Sequence, residues 1–199
     1  MFYSIARLIV GFIYTVIFRI EVIGLENVPN KGPVIIASNH ISNFDPPTIG
    51  AALKHRPMGF MAKAELFRIP VFSFVIRKLG AFPVKRGVID RSSIKIALDR
   101  LYAGCVIGIF PEGTRSKDGE LKKGVGAGVI SIASKAGAAV VPTAVIGTNK
   151  LKPWTKIKVI FDKPFHVTGN ISDKEILQEQ ADKLMGKIGL LLMIEKRID

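Results

Sequence analysis

The chain has 199 residues, 29 basic and 16 acidic, giving a net charge of +13 and a pI near 10.0. A hydrophobic content of 48% and a mean hydropathy of +0.33 exclude a long disordered chain, and a single cysteine, Cys105, excludes a disulfide-stapled secreted fold. Grease combined with positive charge suits two partners, nucleic acid or the anionic face of a membrane.

In chain order, the first element is an apolar run from Leu8 to Phe18, flanked by Arg7 and Arg19. As a helix it spans roughly 16 Å, about half of a hydrocarbon core. Residues 1–20 are therefore expected to form a membrane-interfacial helix, with a buried core helix or a cleaved or spanning segment as the other readings. Ile20-Glu21-Val22 is strand-like. Pro33–Ser38 reads as a short apolar strand that delivers Asn39-His40 at its end. Asp45-Pro46-Pro47 reads as a helix start, with Asp45 as the N-cap. Met58–Ala62 reads as a strand, Pro70–Leu79 as a helix, Ala81–Val84 as extended and Ile89–Tyr102 as a helix. Cys105–Phe110 reads as a doubly covered strand holding an inert buried thiol. Val125–Ala136 is a helix of small residues, Ala139–Ile146 a buried strand, Lys156–Phe161 an edge strand and Ser172–Lys196 an amphipathic helix. Strands alternating with helices predict one α/β domain over residues 21–199.

The charge lies in the middle of this domain. Residues 54–100 hold 11 basic and 3 acidic groups, set among large apolar side chains such as Phe72 and Phe74. A nucleic-acid arm is more often a terminal polar run, so no nucleic acid is expected as partner.

Three clusters carry chemistry. In Asn39-His40-Ile41-Ser42-Asn43-Phe44-Asp45, a folded-back turn would let the carboxylate bond one ring nitrogen and leave the other as a base. The alternative is that Asp45 caps a helix and His40 fills a loop. Phe110-Pro111-Glu112-Gly113-Thr114-Arg115-Ser116 follows the most apolar strand, where α/β sheets bind ligands; it could also be a polar loop with a surface ion pair. Val84-Lys85-Arg86-Gly87 suits an anionic headgroup, or is a solvated basic turn. No nucleophile elbow is present, so a His40–Asp45 base would activate a hydroxyl brought by the substrate. His55 and His166 are isolated in sequence and no metal is expected.

Together these clusters resemble the glycerolipid acyltransferases. The first resembles their N-H-x-S-x-x-D block, Lys85-Arg86-Gly87 the second, Phe110–Ser116 the third and Val140-Val141-Pro142 the fourth, all in the family's order. Gly24-Leu25-Glu26-Asn27-Val28-Pro29 is also in the family style. The chain is most similar to the compact bacterial branch that acylates 1-acyl-glycerol-3-phosphate to phosphatidic acid. The resemblance implies a glycerol-3-phosphate acyltransferase-like fold, a mixed, mostly parallel sheet covered by helices. It implies His40 as general base and Asp45 as its partner, supported by Asn39, Ser42 and Pro142. It implies acceptor binding by Lys85, Arg86, Gly87, Glu112, Gly113, Thr114 and Arg115. No acyl-enzyme and no cofactor are implied; a donor near the first block would hold the thioester oxyanion.

The implied partners are acyl-acyl-carrier-protein or acyl-CoA, lysophosphatidate, and an anionic membrane surface at the cytoplasmic face, with monotopic or peripheral attachment. Longer relatives carry more N-terminal sequence for docking; here about 20 residues precede the domain, which predicts one interfacial helix helped by basic and apolar domain surface. The alternatives are another lyso-lipid acceptor and, more remotely, a non-catalytic basic membrane-binding protein.

Overall fold

The computed structural model describes residues 17–85, 90–116 and 118–196. The helix expected over residues 1–20 falls largely outside them, and by Arg19 the chain is already in a strand. The strands are β1 (Arg19–Ile23), β2 (Val34–Ser38), β3 (Met58–Lys63), β4 (Phe82–Val84), β5 (Val106–Ile109), β6 (Ala139–Ile146) and β7 (Lys156–Phe161). The helices are α1 (Asp45–Ala52), α2 (Pro70–Lys78), α3 (Arg91–Tyr102), α4 (Ala127–Ala136) and α5 (Lys174–Lys196). The strands form one sheet in the order β1-β7-β6-β2-β5-β3-β4. Only the β6–β7 pairing is antiparallel among those described. A mixed, mostly parallel α/β domain is therefore observed, as expected.

Strand periodicity explains the layering. In β2, Ile35 and Ala37 face a core shared with Leu101 of α3, Ile130 of α4 and Leu184 and Ile188 of α5. Val34 and Ile36 face the opposite core, closed by Ile49 and Leu53 of α1 with Phe60, Val145 and Phe161. Burial on both faces is why the central strands read as continuous apolar runs.

Three local expectations need correction. β7 is not an edge: it lies between β1 and β6, and the edge strands are β1 and β4. The alternating lysines misled, because Lys158 is 5% exposed and its amino group lies 3.7 Å from Glu21 on β1. Cys105 stands just ahead of β5 and is exposed, not a buried core thiol. Asp45 is the first helical residue of α1, not its N-cap; that position is Phe44, with no capping side chain. Pro46 and Pro47 lack N–H groups, so the first turn offers a capping carboxylate little to bind.

No helix among the described residues is long and apolar enough to cross a membrane.

Candidate active site

β2 and β5 are adjacent and parallel, yet their chains leave to opposite faces. After β2 the chain enters α1 on one face; after β5 it reaches α4 on the other. Such a divergence opens a crevice at the C-terminal ends of the two strands, the place where open α/β sheets bind ligands. The Asn39–Asp45 loop and the Phe110–Ser116 turn flank it.

Of the two readings of the first loop, the structure shows the folded-back one. His40 Nδ1 lies 2.7 Å from Asp45 Oδ2. The same oxygen accepts the Ile41 N–H at 2.7 Å and the Ser42 N–H at 2.8 Å. Asp45 Oδ1 accepts the Thr148 hydroxyl, from the 3₁₀ turn after β6. Asp45 is fully buried, so four donors replace the water its carboxylate has lost. A proton on Nδ1, donated to this carboxylate, leaves Nε2 as the acceptor atom of the ring; Nε2 takes no hydrogen bond among the described residues. His40 is 5% exposed, so this base sits deep in the crevice.

Asn39 anchors the loop to the sheet. Its amide donates to Val145 O at 2.9 Å and accepts from Val145 N at 2.8 Å, continuing the ladder to β6. Ser42 Oγ accepts the Phe44 N–H and closes the turn.

The two loops are joined at the His40 backbone. Its N–H donates to Glu112 Oε1 at 3.1 Å, and its carbonyl accepts the Ser116 N–H at 2.7 Å. The His40 ring stacks on Phe110 at 4.0 Å, and Phe110 stacks on Phe60 at 5.9 Å. Gly108 permits this ladder, because a Cβ there would collide with the Phe60 ring. Glu112 is buried, and its second oxygen, Oε2, has no hydrogen-bond partner. A buried orphan acceptor on a turn that flanks the crevice is a place for a donor carried by a ligand.

The remaining expected residues are placed less centrally. Gly113, Thr114 and Arg115 are exposed on the turn, with Gly113 at φ +66° and Thr114 Oγ1 accepting from Lys122 at 2.6 Å. Lys85 is exposed just beyond β4, at the same sheet end and two strands from β5, a lateral step of about 10 Å. Its N–H donates to Asp90, which also caps α3. Arg86 and Gly87 lie outside the described residues. Pro142 is buried within β6, in register with Ala37 on β2, in the sheet that carries the first loop. Sequence reasoning missed Thr148 and the stacking role of Phe110. Phe110 stood in a quoted motif, but nothing local marks Thr148, 103 positions from Asp45.

Comparison with known proteins places the chain in a family. The "Acyltransferase" family model matches residues 19–146. The chloroplast 1-acyl-sn-glycerol-3-phosphate acyltransferase LPAT1 of Arabidopsis thaliana is 35% identical over 167 residues, covering 75% of this chain and 44% of that protein. The chain thus spans less than half of that chloroplast relative. The 1-acyl-sn-glycerol-3-phosphate acyltransferase of Bacillus subtilis (strain 168) is 33% identical, with 85% of this chain and 86% of that protein aligned. The crystal structure of PlsC from Thermotoga maritima, described as a 1-acyl-sn-glycerophosphate acyltransferase, superposes with a TM-score of 0.75 and 28% identity over 95% of this chain and 79% of that one. The family match covers more than half of the chain and takes in both loops of the crevice, and on that ground the chain belongs to the acyltransferase family.

Proposed function

We propose that this protein transfers a fatty acyl group from a thioester, acyl-acyl-carrier-protein or acyl-CoA, to the 2-hydroxyl of 1-acyl-glycerol-3-phosphate, making phosphatidic acid. The observation that carries the reading is the 2.7 Å contact between His40 Nδ1 and the fully buried Asp45 carboxylate. The names of the relatives supply the substrate class.

His40 Nε2 takes the proton of the acceptor hydroxyl as its oxygen attacks the thioester carbonyl. The tetrahedral intermediate collapses with cleavage of the carbon–sulfur bond. The departing sulfur recovers the proton from His40, leaving an ester and a free thiol. Asp45 stays ionised throughout; it fixes the tautomer and stabilises the transient imidazolium. Glu112 joins the two loops and presents Oε2 to a donor on the substrate. Lys85, Arg86 and Arg115 supply positive charge for the acceptor phosphate, with Gly87, Gly113 and Thr114 shaping the approach. An anionic membrane presents the acceptor, with the protein attached peripherally or monotopically at the cytoplasmic face.

Thiol release by the purified chain, followed with a panel of lyso-lipid acceptors, tests this. His40→Ala is expected to lower turnover at least ~10²-fold with the fold retained by circular dichroism. A fully active His40→Ala protein refutes the mechanism, and a preference for an acceptor lacking phosphate refutes the substrate.

A further inference from the structure

The helix that crosses from β3 to β4 is built inside out. Crossover helices between parallel strands ordinarily lay their apolar side on the sheet. α2 instead buries Ser73 and exposes Val71, Phe72, Phe74 and Val75, beside exposed Leu66 and Ile69 from the turn that precedes it. Val71 is 79% exposed, Phe74 57% and Ile69 54%. The principal packing of α2 is against that 3₁₀ turn, Ala64–Arg68, rather than against the sheet. Single exposed apolar residues are ordinary; six within residues 66–75 make a patch.

Cations rim the patch. Lys63, Arg68, Arg77 and Lys78 are exposed, and Glu65, 3.4 Å from Lys63, is the one acidic group in residues 63–78. The Arg77 guanidinium lies 4.8 Å from the centre of the Phe67 ring, and the Lys78 ammonium 5.7 Å from that of Phe74. Cations held against aromatic rings at an exposed surface place charge and apolar area side by side, the combination a lipid interface favours. Exposed apolar side chains rimmed by cations match the acyl chains and anionic headgroups of a lipid layer.

The geometry points to α2 and its lead-in turn as the face that docks on an anionic bilayer, its apolar side chains among acyl chains and its cations among lipid phosphates. This deepens the reading above, on which it rests for a lipid acceptor. α2 follows the C-terminal end of β3, the same sheet end as the His40 loop, so docking there brings the crevice to the source of its acceptor.

The test is co-sedimentation of the full chain with vesicles of phosphatidylglycerol and phosphatidylcholine in equal parts, and with phosphatidylcholine alone. Two variants are compared with the wild type: Val71→Gln/Phe74→Gln removes grease, and Arg68→Gln/Lys78→Gln removes charge at exposed positions. Each variant is expected to bind mixed vesicles at least ~10-fold more weakly. The wild type is expected to favour mixed vesicles by a similar factor. Both variants are expected to keep wild-type turnover with a short-chain, water-soluble lyso-acceptor, which shows that they fold. Equal binding of wild type and Val71→Gln/Phe74→Gln overturns the proposal, as does absence of wild-type binding. A wild-type dimer that the same variant converts to a monomer, with vesicle binding intact, also overturns it and assigns the patch to a second copy. Loss of vesicle binding in variants of a protein that transfers no acyl group refutes the enzymatic reading and leaves the docking face standing.

Discussion

Asp45 makes four hydrogen bonds, and the one from Thr148 is the most informative. Thr148 is 1% exposed and its hydroxyl reaches the carboxylate oxygen that the His40 loop leaves unused. It acts on the reaction through Asp45, as a positioning residue. Thr148→Val leaves a buried charged oxygen one donor short, a loss of about 1.5–3 kcal/mol. The expected result is a kcat lowered ~10-fold or more, an unchanged KM for the acceptor, and recovery in Thr148→Ser. An equal loss in Thr148→Ser and Thr148→Val would mean that the hydroxyl has no part. Asp45→Asn removes the charge that sets the His40 tautomer, and kcat is expected to fall by ~10³–10⁴-fold with little change in KM. The His40–Asp45 pair was legible because both residues lie within one seven-residue turn. Its fourth donor was not, because tertiary contact across 103 positions leaves no local pattern. Asp45 also stands before two prolines, a place that reads equally well as a cap, and only the fold separates the two readings.

At the scale of elements, the crevice depends on two loops that hold each other. Glu112 takes the His40 N–H and Ser116 gives its N–H to the His40 carbonyl, so the base is fixed on both sides of its own Cα. The Phe60–Phe110–His40 stack fixes the ring. Gly108→Ala pushes a methyl group into Phe60 and is expected to cost about 1–3 kcal/mol by denaturant titration, with kcat reduced through the tilted stack. An unchanged kcat would uncouple Phe60 from the base. Lys85, just beyond β4, is tethered by Asp90, whose carboxyl is held well below its usual range by Ser92, then Ser93, then the Lys85 N–H. A lowered folded-state value means that Asp90 stabilises the fold at pH above the unfolded carboxyl value of ~4 and loses that effect as pH falls through its own lower value. Asp90→Ala is therefore expected to lower the thermal midpoint at pH 7, with the gap to wild type closing under strong acid. It is also expected to raise the acceptor KM by loosening Lys85. A gap that persists at low pH would contradict the assignment. The sequence made the strands and helices plain, since each central strand is an unbroken apolar run. It did not make plain which strand lies at the edge, because that depends on β1 pairing with β7 across most of the chain.

For the whole molecule, the excess positive charge divides into two uses. Arg56 donates to the carbonyls of Pro29, Gly32 and Gly104, and Arg100 donates to the carbonyl of Gly80 while lying 4.7 Å from the Phe82 ring. Burial lowers the pKa of both guanidinium groups from the ordinary arginine value. These two are internal staples and not part of a partner surface. Lys63, Arg68, Arg77, Lys78 and Lys85 remain exposed and lie along or beyond β3, α2 and β4. The composition showed that charge and grease coexist; the fold shows them interleaved on one helix beside the crevice. Turnover with bilayer-presented acceptor is accordingly expected to fall with added salt, while turnover with a soluble acceptor is not.

The central claim, that a His40–Asp45 pair passes an acyl group from a thioester to a lysophosphatidate hydroxyl, is tested most directly by one assay. Purified wild type and His40→Ala are each given a labelled acyl thioester and 1-acyl-glycerol-3-phosphate, and phosphatidic acid is quantified. Phosphatidic acid from the wild type with at least ~10²-fold less from His40→Ala, both proteins folded, is the predicted result. Equal product from both proteins, or none from the wild type with either donor, would contradict it.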